Sequence, residues 1–339
     1  MRALVYEGPW QMPLRQIETP EPGKDDVVVA VRAVGVCGSD VHGFMGTTGR
    51  RVPPIVMGHE FCGVITAVGT QVEQHHAGDR VVVQPLLTCG GCENCRAGRP
   101  NICMNRGGLG MNMNGAYAEA VRVPQQMLYS LPAEMSWERG AMAEPLAVAM
   151  HAANLTPLAL MDTLVIIGAG TIGLLTLLCA RLRGAGTIIV TDRSSHRLEM
   201  ARRLGADLAV NIAEQDPVAA VQAHTGGLGA HAVIEAVGVT AAVKQSLAVV
   251  RTGGHVTWIG NSQPEVELNM QQVVTRELTV RGAYGFNEEF GRAIEVLGRT
   301  DVFDVTQLIE AVEPLDAGPQ LIHDLARGSL EAVKVILKP

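Results

Sequence analysis

The sequence predicts an α/β protein in which a doubly wound parallel sheet is joined to a second, β-rich domain. The middle of the chain alternates strand patterns with helix patterns, and this alternation is typical of a parallel sheet flanked by helices. The first third is rich in β-branched runs that lie between Gly and Pro turns. The length of 339 residues is also more than one hydrophobic core usually supports, which favours two domains.

Each predicted element follows from its local pattern and its boundary residues. Strand patterns in the first third occupy residues 27–36, 63–69, 79–85 and 116–124. The middle has strand patterns at 163–170, 187–192, 231–238, 255–260 and 277–284, and helix patterns at 171–184, 194–205 and 240–250. A helix at 288–299 and a short strand at 332–337 follow. We therefore predict domains at 1–150 and 151–287, with 288–339 returning to the first domain.

Composition excludes several classes of partner. The chain is 47% hydrophobic and 18% charged, and its net charge is −7. No stretch is strongly basic and aromatic residues make up only 4%, so nucleic acid and anionic membrane surfaces are not expected partners. Neither a secretory signal nor a membrane span is evident, so we expect a cytoplasmic protein whose thiols stay reduced. Its seven cysteines then indicate metal ligands and core thiols before disulfides.

A glycine motif predicts a dinucleotide site in the middle domain. GAGTIG follows a predicted buried strand and opens a predicted helix, the context that this motif requires. Gly168 would permit the tight turn, Gly170 the approach of a pyrophosphate, and Gly173 the close packing of helix and strand. Asp192 ends the next strand, where a carboxylate binds the ribose hydroxyls and repels a 2′-phosphate.

These features favour NAD over NADP, although an arginine near Asp192 could receive a 2′-phosphate. The candidate cofactor-binding residues are Gly168, Gly170, Thr171, Ile172, Gly173, Asp192, Arg193, Arg197, Val237 and Ile259.

Four cysteines with the spacing C-x2-C-x2-C-x7-C predict a structural zinc site. They are Cys89, Cys92, Cys95 and Cys103. Four thiolates complete a tetrahedral zinc shell, which leaves no position for a substrate. The alternative is a set of reduced thiols without metal.

A second, sparser set of possible ligands lies upstream. Cys37 in CGSDVH offers a thiolate, and His59 in GHEFCG offers an imidazole, and both groups are good zinc ligands. Cys62 and Cys179 have apolar neighbours and are expected to be core thiols.

The chain resembles the zinc-dependent medium-chain dehydrogenase/reductases of the alcohol dehydrogenase superfamily. The motif GHE-x-x-G-x5-G is matched by Gly58, His59, Glu60, Gly63 and Gly69. CGSDVH, the cysteine cluster, EPLAVAMHA and GAGTIG occur in the family's order, and the resemblance covers essentially the whole chain. The CGSD-x-H and EPLAV segments look most like the polyol branch, which includes sorbitol, xylitol and galactitol-1-phosphate dehydrogenases.

The resemblance implies a GroES-like catalytic domain, two zinc ions per subunit, NAD as cofactor, and a homotetramer or homodimer. Cys37 and His59 would hold the catalytic zinc with a third, carboxylate ligand, either Glu144, which we favour, or Glu60. If Glu60 is not a ligand, it would tune the metal electrostatically. Ser39 would accept the proton of the substrate alcohol, and His42 would exchange it with solvent. The expected reaction oxidises a polyol or other secondary alcohol to a ketone by hydride transfer to NAD.

Other functions stay open from the sequence. The enzyme could act on threonine, butanediol or a sugar phosphate. Two further alternatives are a zinc-free reductase and a zinc- and nucleotide-binding sensor. The pair of Cys37 and His59 argues against both, because the reductase would lack this pair and the sensor would not need it. Arg50 and Arg51 could bind a substrate phosphate but are interpreted as surface charges. The substrate pocket is expected to include Ser39, Phe44, Tyr117 and Glu144.

Overall fold

A computed structural model describes residues 1–47, 49, 51–301 and 304–339 of the chain. The chain divides into two compact units. The first unit contains Met1–Glu144 and Asn287–Pro339, and the second contains Pro145–Phe286.

The first unit is mainly β-structure. Its N-terminal strands are β1 Arg2–Tyr6, β2 Leu14–Gln16, β3 Asp26–Gly35, β4 Ile55–Val56, β5 Glu60–Val68, β6 Arg80–Val83, β7 Leu86–Leu87, β8 Gly107–Gly108, β9 Ala120–Pro124 and β10 Leu128–Ser130. The helices in this part are α1 Gly38–Phe44, α2 Glu93–Arg96 and α3 Trp137–Gly140, with 3-10 turns at Pro100–Ile102 and Gln125–Met127. Helix α4, Ala143–Leu155, leads into the second unit.

The second unit alternates strands and helices, as the sequence predicts. Its elements are β11 Thr163–Ile167, α5 Thr171–Leu182, β12 Thr187–Asp192, α6 Ser195–Arg203, β13 Leu208–Asn211, α7 Pro217–His224, β14 Ala230–Glu235, α8 Thr240–Val249, β15 Val250–Trp258, α9 Met270–Val274 and β16 Thr279–Gly282. The chain then returns to the first unit through α10 Glu289–Gly298, β17 Ile309–Pro314, α11 Gly318–Arg327 and β18 Lys334–Lys338, with 3-10 turns at Val305–Leu308 and Leu315–Ala317.

The main sheet of the first unit has seven strands. Their order is β10-β6-β5-β3-β18-β17, and β9 also pairs with β3. The C-terminal strand β18 lies against β3, with Ile336 opposite Gly35, so the last residues of the chain complete a sheet that the first third begins. Smaller sheets join β2-β1-β4 and β7-β8.

The six strands of the second unit are all parallel, in the order β13-β12-β11-β14-β15-β16. Two strand-helix runs that diverge from a central strand generate this order, which is that of a dinucleotide-binding sheet. Strands β12 and β13 are added on one side of β11, and β14 to β16 on the other side. The switch point therefore lies between β11 and β14, and the loops after these two strands flank it. The predicted α/β class with a doubly wound sheet is confirmed.

Each unit has its own core, and the burial patterns explain the strand patterns. In β11 the residues from Leu164 to Ile167 are all buried, as expected for a strand covered on both faces. One buried apolar cluster of the first unit includes Val29, Ile65 and Val335, and one cluster of the second includes Val165 and Val233. Cys62 and Cys179 are buried, as predicted. Within the described residues, no helix combines the length and the hydropathy needed to cross a bilayer.

Asp207 ties the start of strand β12 to helix α5 and provides a test of the fold's electrostatics. Its Oδ2 accepts hydrogen bonds from the Ile188 amide at 2.7 Å and from the Arg181 guanidinium at 2.6 Å. Burial alone would raise the pKa of Asp207, but these two donors lower it below its ordinary value. A lowered pKa in the folded state stabilises the protein above the pKa of the unfolded state, and this stabilisation is lost as the pH falls through the folded value.

We therefore expect Asp207→Asn to lower the free energy of unfolding by about 1 kcal/mol at pH 7, since the ion pair is partly exposed. The difference should shrink below about pH 4, where the unfolded carboxylate becomes protonated. Urea titrations at several pH values measure it. Glu199→Gln, which removes a more exposed ion pair with Arg202, is the control and should change stability little. An effect of Asp207→Asn that grows towards low pH would contradict this account.

Candidate active site and cofactor sites

The four clustered cysteines have the geometry of a zinc site. The sulfur of Cys92 lies 3.5 Å from that of Cys95 and 3.9 Å from that of Cys103, and the sulfurs of Cys103 and Cys89 are 3.5 Å apart. A tetrahedral shell with zinc–sulfur bonds of about 2.3 Å places its sulfurs about 3.8 Å apart. All four ligand atoms lie within 4.8 Å of one another, so these residues fit a four-thiolate zinc.

Backbone amides around this cluster favour the thiolate form that zinc binds. The amide of Cys92 lies 3.3 Å from the Cys89 sulfur, and that of Asn105 lies 3.4 Å from the Cys103 sulfur. Backbone N–H groups of Met104 and Cys95 lower the pKa of Cys92 to about 6. The short helix α2 and the following 3-10 turn present these groups within fifteen residues of chain.

A second group of possible ligands contains Cys37, His59 and Glu60, whose ligand atoms also lie within 4.8 Å of one another. Strands β3 and β5 bring them together, because Gly35 and Glu60 are paired in the antiparallel ladder. Cys37 follows β3 as the N-cap of helix α1, and His59 immediately precedes β5. The thiolate and the imidazole, 22 positions apart in the sequence, therefore meet at one end of the sheet.

A buried carboxylate lies behind His59. Asp40 has a completely buried side chain, and its Oδ2 lies 3.4 Å from His59 Nδ1. The Tyr117 hydroxyl donates to the same oxygen at 2.9 Å, while Arg51 Nη2 donates to Oδ1 at 2.8 Å. Because Nδ1 faces Asp40, Nε2 is the nitrogen of His59 that is left for a metal, an arrangement common at zinc sites.

The charges around His59 make the site attractive to a cation. Burial alone would raise the pKa of Asp40, but His59, Arg51 and Tyr117 hold it well below its ordinary range. Burial alone would lower the pKa of His59, yet Asp40 and Cys37 raise it well above the usual value. The same negative potential that binds a proton at the imidazole would bind Zn²⁺.

Of the two candidate carboxylates, Glu60 belongs to the group with Cys37 and His59, but it already has a partner. Its Oε2 accepts a hydrogen bond at 2.6 Å from Lys334, and both side chains are only 1% exposed. Glu144 lies outside the group of three. Burial raises the pKa of Glu144 to about 7, and the charges of Glu60 and Asp40 add to this effect, against those of His59 and Lys334. The choice of Glu144 as third ligand stays a prediction, with Glu60 as the alternative.

The predicted proton-transfer residues lie on helix α1. Ser39 is partly buried, and its hydroxyl oxygen accepts a hydrogen bond from Arg51 Nη2 at 3.3 Å. His42 is also partly buried, and burial lowers its pKa, so its imidazole is neutral near pH 7 and can accept a proton.

Three expectations about the surroundings of the site were wrong or incomplete. Arg51 is not a surface charge: it is 7% exposed and paired with Asp40. Tyr117 is completely buried with its hydroxyl on Asp40, and Phe44 packs edge-on against Trp10, so both belong to the interior. Arg50 lies outside the described residues.

Sequence reasoning missed two charged residues that shape the site, Arg51 and Lys334. Lys334 gives a usable signal, because it is a single charge inside the apolar strand pattern AVKVIL. A lysine in such a position is either turned to solvent or paired, and here it is paired with Glu60. Arg51 gives no such signal, since it lies between Gly and Pro residues that predict an exposed loop.

The glycine motif has the geometry of a phosphate-binding turn. Gly168 follows β11 with φ of +97°, a conformation that favours glycine. A Cβ at Gly173 would lie 1.8 Å from the Gly168 carbonyl oxygen, so only glycine allows this contact of helix and strand. Gly170 is the N-cap of α5 and has no heavy atom within 4 Å of an added Cβ position. Its surroundings thus leave room for a pyrophosphate at the helix N-terminus.

Asp192 supports this turn from the end of the neighbouring strand. Its carboxylate accepts hydrogen bonds from the Ala169 amide at 2.7 Å and from the Ser194 amide at 2.9 Å. Arg193, between Asp192 and the start of α6, is exposed, and Arg197, within α6, is partly buried.

The other candidate cofactor residues follow the ends of neighbouring strands. Val237 lies after β14, and its side chain would be 2.6 Å from a Cβ at Gly168. The amide of Ile259, directly after β15, bonds to the Glu235 carbonyl at 2.9 Å. Thr171 and Ile172 form the first turn of α5. The carboxyl ends of parallel strands share one edge of a sheet, so these residues and the glycine turn lie along the same edge.

A β-rich unit with a Cys/His/carboxylate group and a closed four-cysteine site, together with a dinucleotide-binding unit, defines a zinc-dependent dehydrogenase. Comparison with known families agrees. Residues 23–133 match the model of the alcohol dehydrogenase GroES-like domain, and residues 171–299 match that of the zinc-binding dehydrogenases. The chain belongs to this family of zinc-type alcohol dehydrogenases.

Individual relatives match over nearly their whole lengths. Sorbitol dehydrogenase of Bacillus subtilis (strain 168) is 34% identical, with 100% of this chain and 97% of the relative covered. Galactitol-1-phosphate dehydrogenase of Escherichia coli has a TM-score of 0.92 at 29% identity, with both chains fully covered. A zinc-binding dehydrogenase of Sinorhizobium meliloti 1021, solved bound to NADP, has a TM-score of 0.90 at 34% identity, covering 100% and 99% of the two chains.

These findings confirm the resemblance drawn from the sequence motifs, including the GroES-like domain. The protein is an NAD(P)-dependent zinc dehydrogenase that acts on a small alcohol.

Metal analysis of single variants tests the two sites separately. The wild-type protein should contain two zinc ions per chain, and Cys95→Ser and Cys37→Ser should each contain about one. Cys95→Ser should also melt at a lower temperature, because the closed site clips the loop. Plasma mass spectrometry and thermal unfolding measure these effects, with Cys179→Ala as a cysteine control that keeps both ions.

The same measurement distinguishes the two carboxylates. Loss of one zinc in Glu144→Gln but not in Glu60→Gln would support Glu144 as the third ligand, and the reverse would support Glu60. Retention of two ions in Cys95→Ser would contradict the assignment of the four-cysteine site.

Proposed function

We propose that this enzyme oxidises a polyol or another secondary alcohol to a ketone by transferring a hydride to NAD. The observation that supports this most directly is the group of Cys37, His59 and Glu60, with the Ser39 amide 3.4 Å from the Cys37 sulfur. A thiolate, an imidazole and one carboxylate leave a fourth position around a zinc ion, and that open position is what a catalytic zinc requires.

The residues around this position can carry out the proton transfer. A zinc ion held there would supply Lewis acidity to the alcohol oxygen, and NAD would take the hydride. Ser39 would accept the alcohol proton and give up its own proton towards His42, which lies on the same helix. Because burial keeps His42 neutral near pH 7, its imidazole can take up this proton and release it to solvent.

The two compact units support the division of labour that the sequence predicts. Residues 1–150 and 288–339 would form the catalytic domain and residues 151–287 the cofactor domain.

The edge of the second sheet bears on the oligomeric state. Strand β16 lies at this edge and pairs only with β15 among the described strands, and an exposed edge can pair with a strand of another chain. This supports a homodimer or homotetramer, and a cytoplasmic location stays part of the proposal.

One relative is named for sorbitol and another for galactitol-1-phosphate, so the site has to show whether the polyol carries a phosphate. Arg51, one of two candidates for binding a phosphate, is buried and paired with Asp40. A guanidinium that neutralises a buried carboxylate cannot leave it for a substrate without a large cost. This favours an unphosphorylated polyol.

Activity measurements test the reaction. Following NADH absorbance with a panel of polyols, their phosphates, threonine and butanediol should reveal oxidation that a zinc chelator abolishes. Cys37→Ser should lower kcat/KM by about 10³-fold, since a Lewis acid contributes several kcal/mol, while the Kd for NAD changes less than about twofold. Cys179→Ala serves as the control. Full activity after both zinc ions are removed, or no activity with any alcohol, would refute the proposal.

The coenzyme preference depends on Asp192. A carboxylate at this position binds the ribose hydroxyls and repels a 2′-phosphate, so we expect Asp192→Ala to reduce the ratio of NAD to NADP efficiency by about 10–100-fold. Arg193→Ala should act oppositely, weakening NADP use without affecting NAD. Steady-state kinetics with each coenzyme measure both ratios. A wild-type enzyme that prefers NADP, as the NADP-bound relative permits, would overturn the choice of NAD.

A further inference from the structure

We propose that Arg51 is a positioning residue that sets the direction of the proton relay through Ser39 and holds the carboxylate behind His59. This inference rests on the proposed function, because the relay belongs to it. One nitrogen of the guanidinium makes both contacts: Nη2 lies 3.3 Å from Ser39 Oγ and 2.8 Å from Asp40 Oδ1.

Arg51 is held firmly enough to act in this way. Its side chain is 3% exposed, and it lies along helix α1, which carries Ser39, Asp40 and His42. A Cβ added at Gly43 of this helix would lie 3.3 Å from both Cδ and Nε of Arg51, so the stem of the arginine is in close contact with the helix. The charge of Asp40 fixes the guanidinium end.

The chemistry of the donors determines which way Ser39 points. A guanidinium can only donate, so the Ser39 oxygen must accept from Arg51 and cannot give its proton in that direction. A hydroxyl has one proton and two lone pairs. With one lone pair on Arg51, one lone pair and the proton remain, and these are what a relay needs to receive one proton and release another.

The proton balance of the step leaves Arg51 unchanged. The substrate hydroxyl gives its proton to Ser39, whose own proton moves on towards His42, while the carbon-bound hydride goes to NAD. Ser39 is a neutral hydroxyl before and after the transfer. The fixed positive charge of Arg51 stabilises the oxygen of Ser39 while its proton is leaving.

The second contact of Arg51 extends to the proposed metal ligand. Asp40 faces His59 Nδ1, and Tyr117 and Arg51 hold its two oxygens from either side. Loss of the arginine would free Oδ1 of Asp40, so the carboxylate could rotate and move Oδ2 out of line with His59 Nδ1. Groups that orient a histidine ligand typically affect metal affinity by about 10–100-fold.

Double-variant kinetics test the coupling of Arg51 to Ser39. We expect Arg51→Lys to lower kcat by about 10-fold and Ser39→Ala by about 10²-fold, with the Kd for NAD unchanged. Arg51→Lys should cost less than about twofold when Ser39 is already alanine, because the relay that it orients is then absent. Arg122→Lys, an exposed arginine near Asp26, is the matched control and should leave kcat unchanged.

A second measurement does not depend on turnover. The catalytic zinc of Arg51→Lys and Arg51→Met should pass to a chromophoric chelator about 10-fold faster than that of the wild type. Arg51→Lys keeps a charge against Asp40, so it stays informative if Arg51→Met does not fold.

The outcomes are distinguishable. If Arg51→Lys lowers kcat by the same factor in the wild type and in Ser39→Ala, the proposed role of Arg51 is wrong, while the relay through Ser39 can still stand. The same holds if the Arg51 variants turn over substrate and release zinc at wild-type rates. A fully active Ser39→Ala enzyme would refute the relay, and the inference with it. Persistence of activity in Cys37→Ser would instead refute the proposed function.

Discussion

The geometry of the site in the first unit depends on the buried carboxylate of Asp40. A carboxylate removed from water costs several kcal/mol unless charged or polar partners replace its hydration. Arg51, Tyr117 and His59 provide that replacement, and they come from three separate parts of the chain. The loop before β4, the segment before β9 and the start of β5 must therefore all be in place before Asp40 is satisfied. The same contacts orient the histidine that the metal requires, so stability and site geometry share one cause.

A second buried pair explains why the chain returns to its first unit. Lys334 lies on β18, whose pairing with β3 places the ammonium 2.6 Å from Glu60 and 3.2 Å from the Val36 carbonyl. Without the C-terminal strand, Glu60 would be a buried anion beside Cys37 and would lack the lysine that pairs with it. The lysine offsets this concentration of negative charge while leaving enough to attract a divalent cation. The last strand is thus part of the electrostatics of the site as well as of the sheet.

Local patterns in the sequence were sufficient for much of this structure. The glycine turn, the parallel strands and the four-cysteine cluster each depend on residues that are close in the chain, and spacing alone predicts them. The partners of Arg51 and Lys334 could not be assigned in this way: the apolar pattern around Lys334 indicates a paired lysine but not its partner, and the loop around Arg51 indicates an exposed charge. Their partners lie 11 and 274 positions away. The choice between Glu60 and Glu144 stays open from the sequence for the same reason, since it depends on where Lys334 lies.

The two groups of metal ligands differ in how their charge is balanced, and this determines what each can do. Four thiolates can satisfy a zinc ion by themselves, so the cysteine cluster needs only backbone amides around it and can lie at the surface. The group of Cys37, His59 and Glu60 supplies fewer ligands, and buried cations compensate the carboxylates around it: Lys334 pairs with Glu60, and Arg51 pairs with Asp40 behind His59. A zinc ion held by only these three residues would keep a coordination position for an alcohol. Three ligands hold an ion less rigidly than four, so the buried pairs of Arg51 with Asp40 and of Lys334 with Glu60 would have to fix the ligands in place.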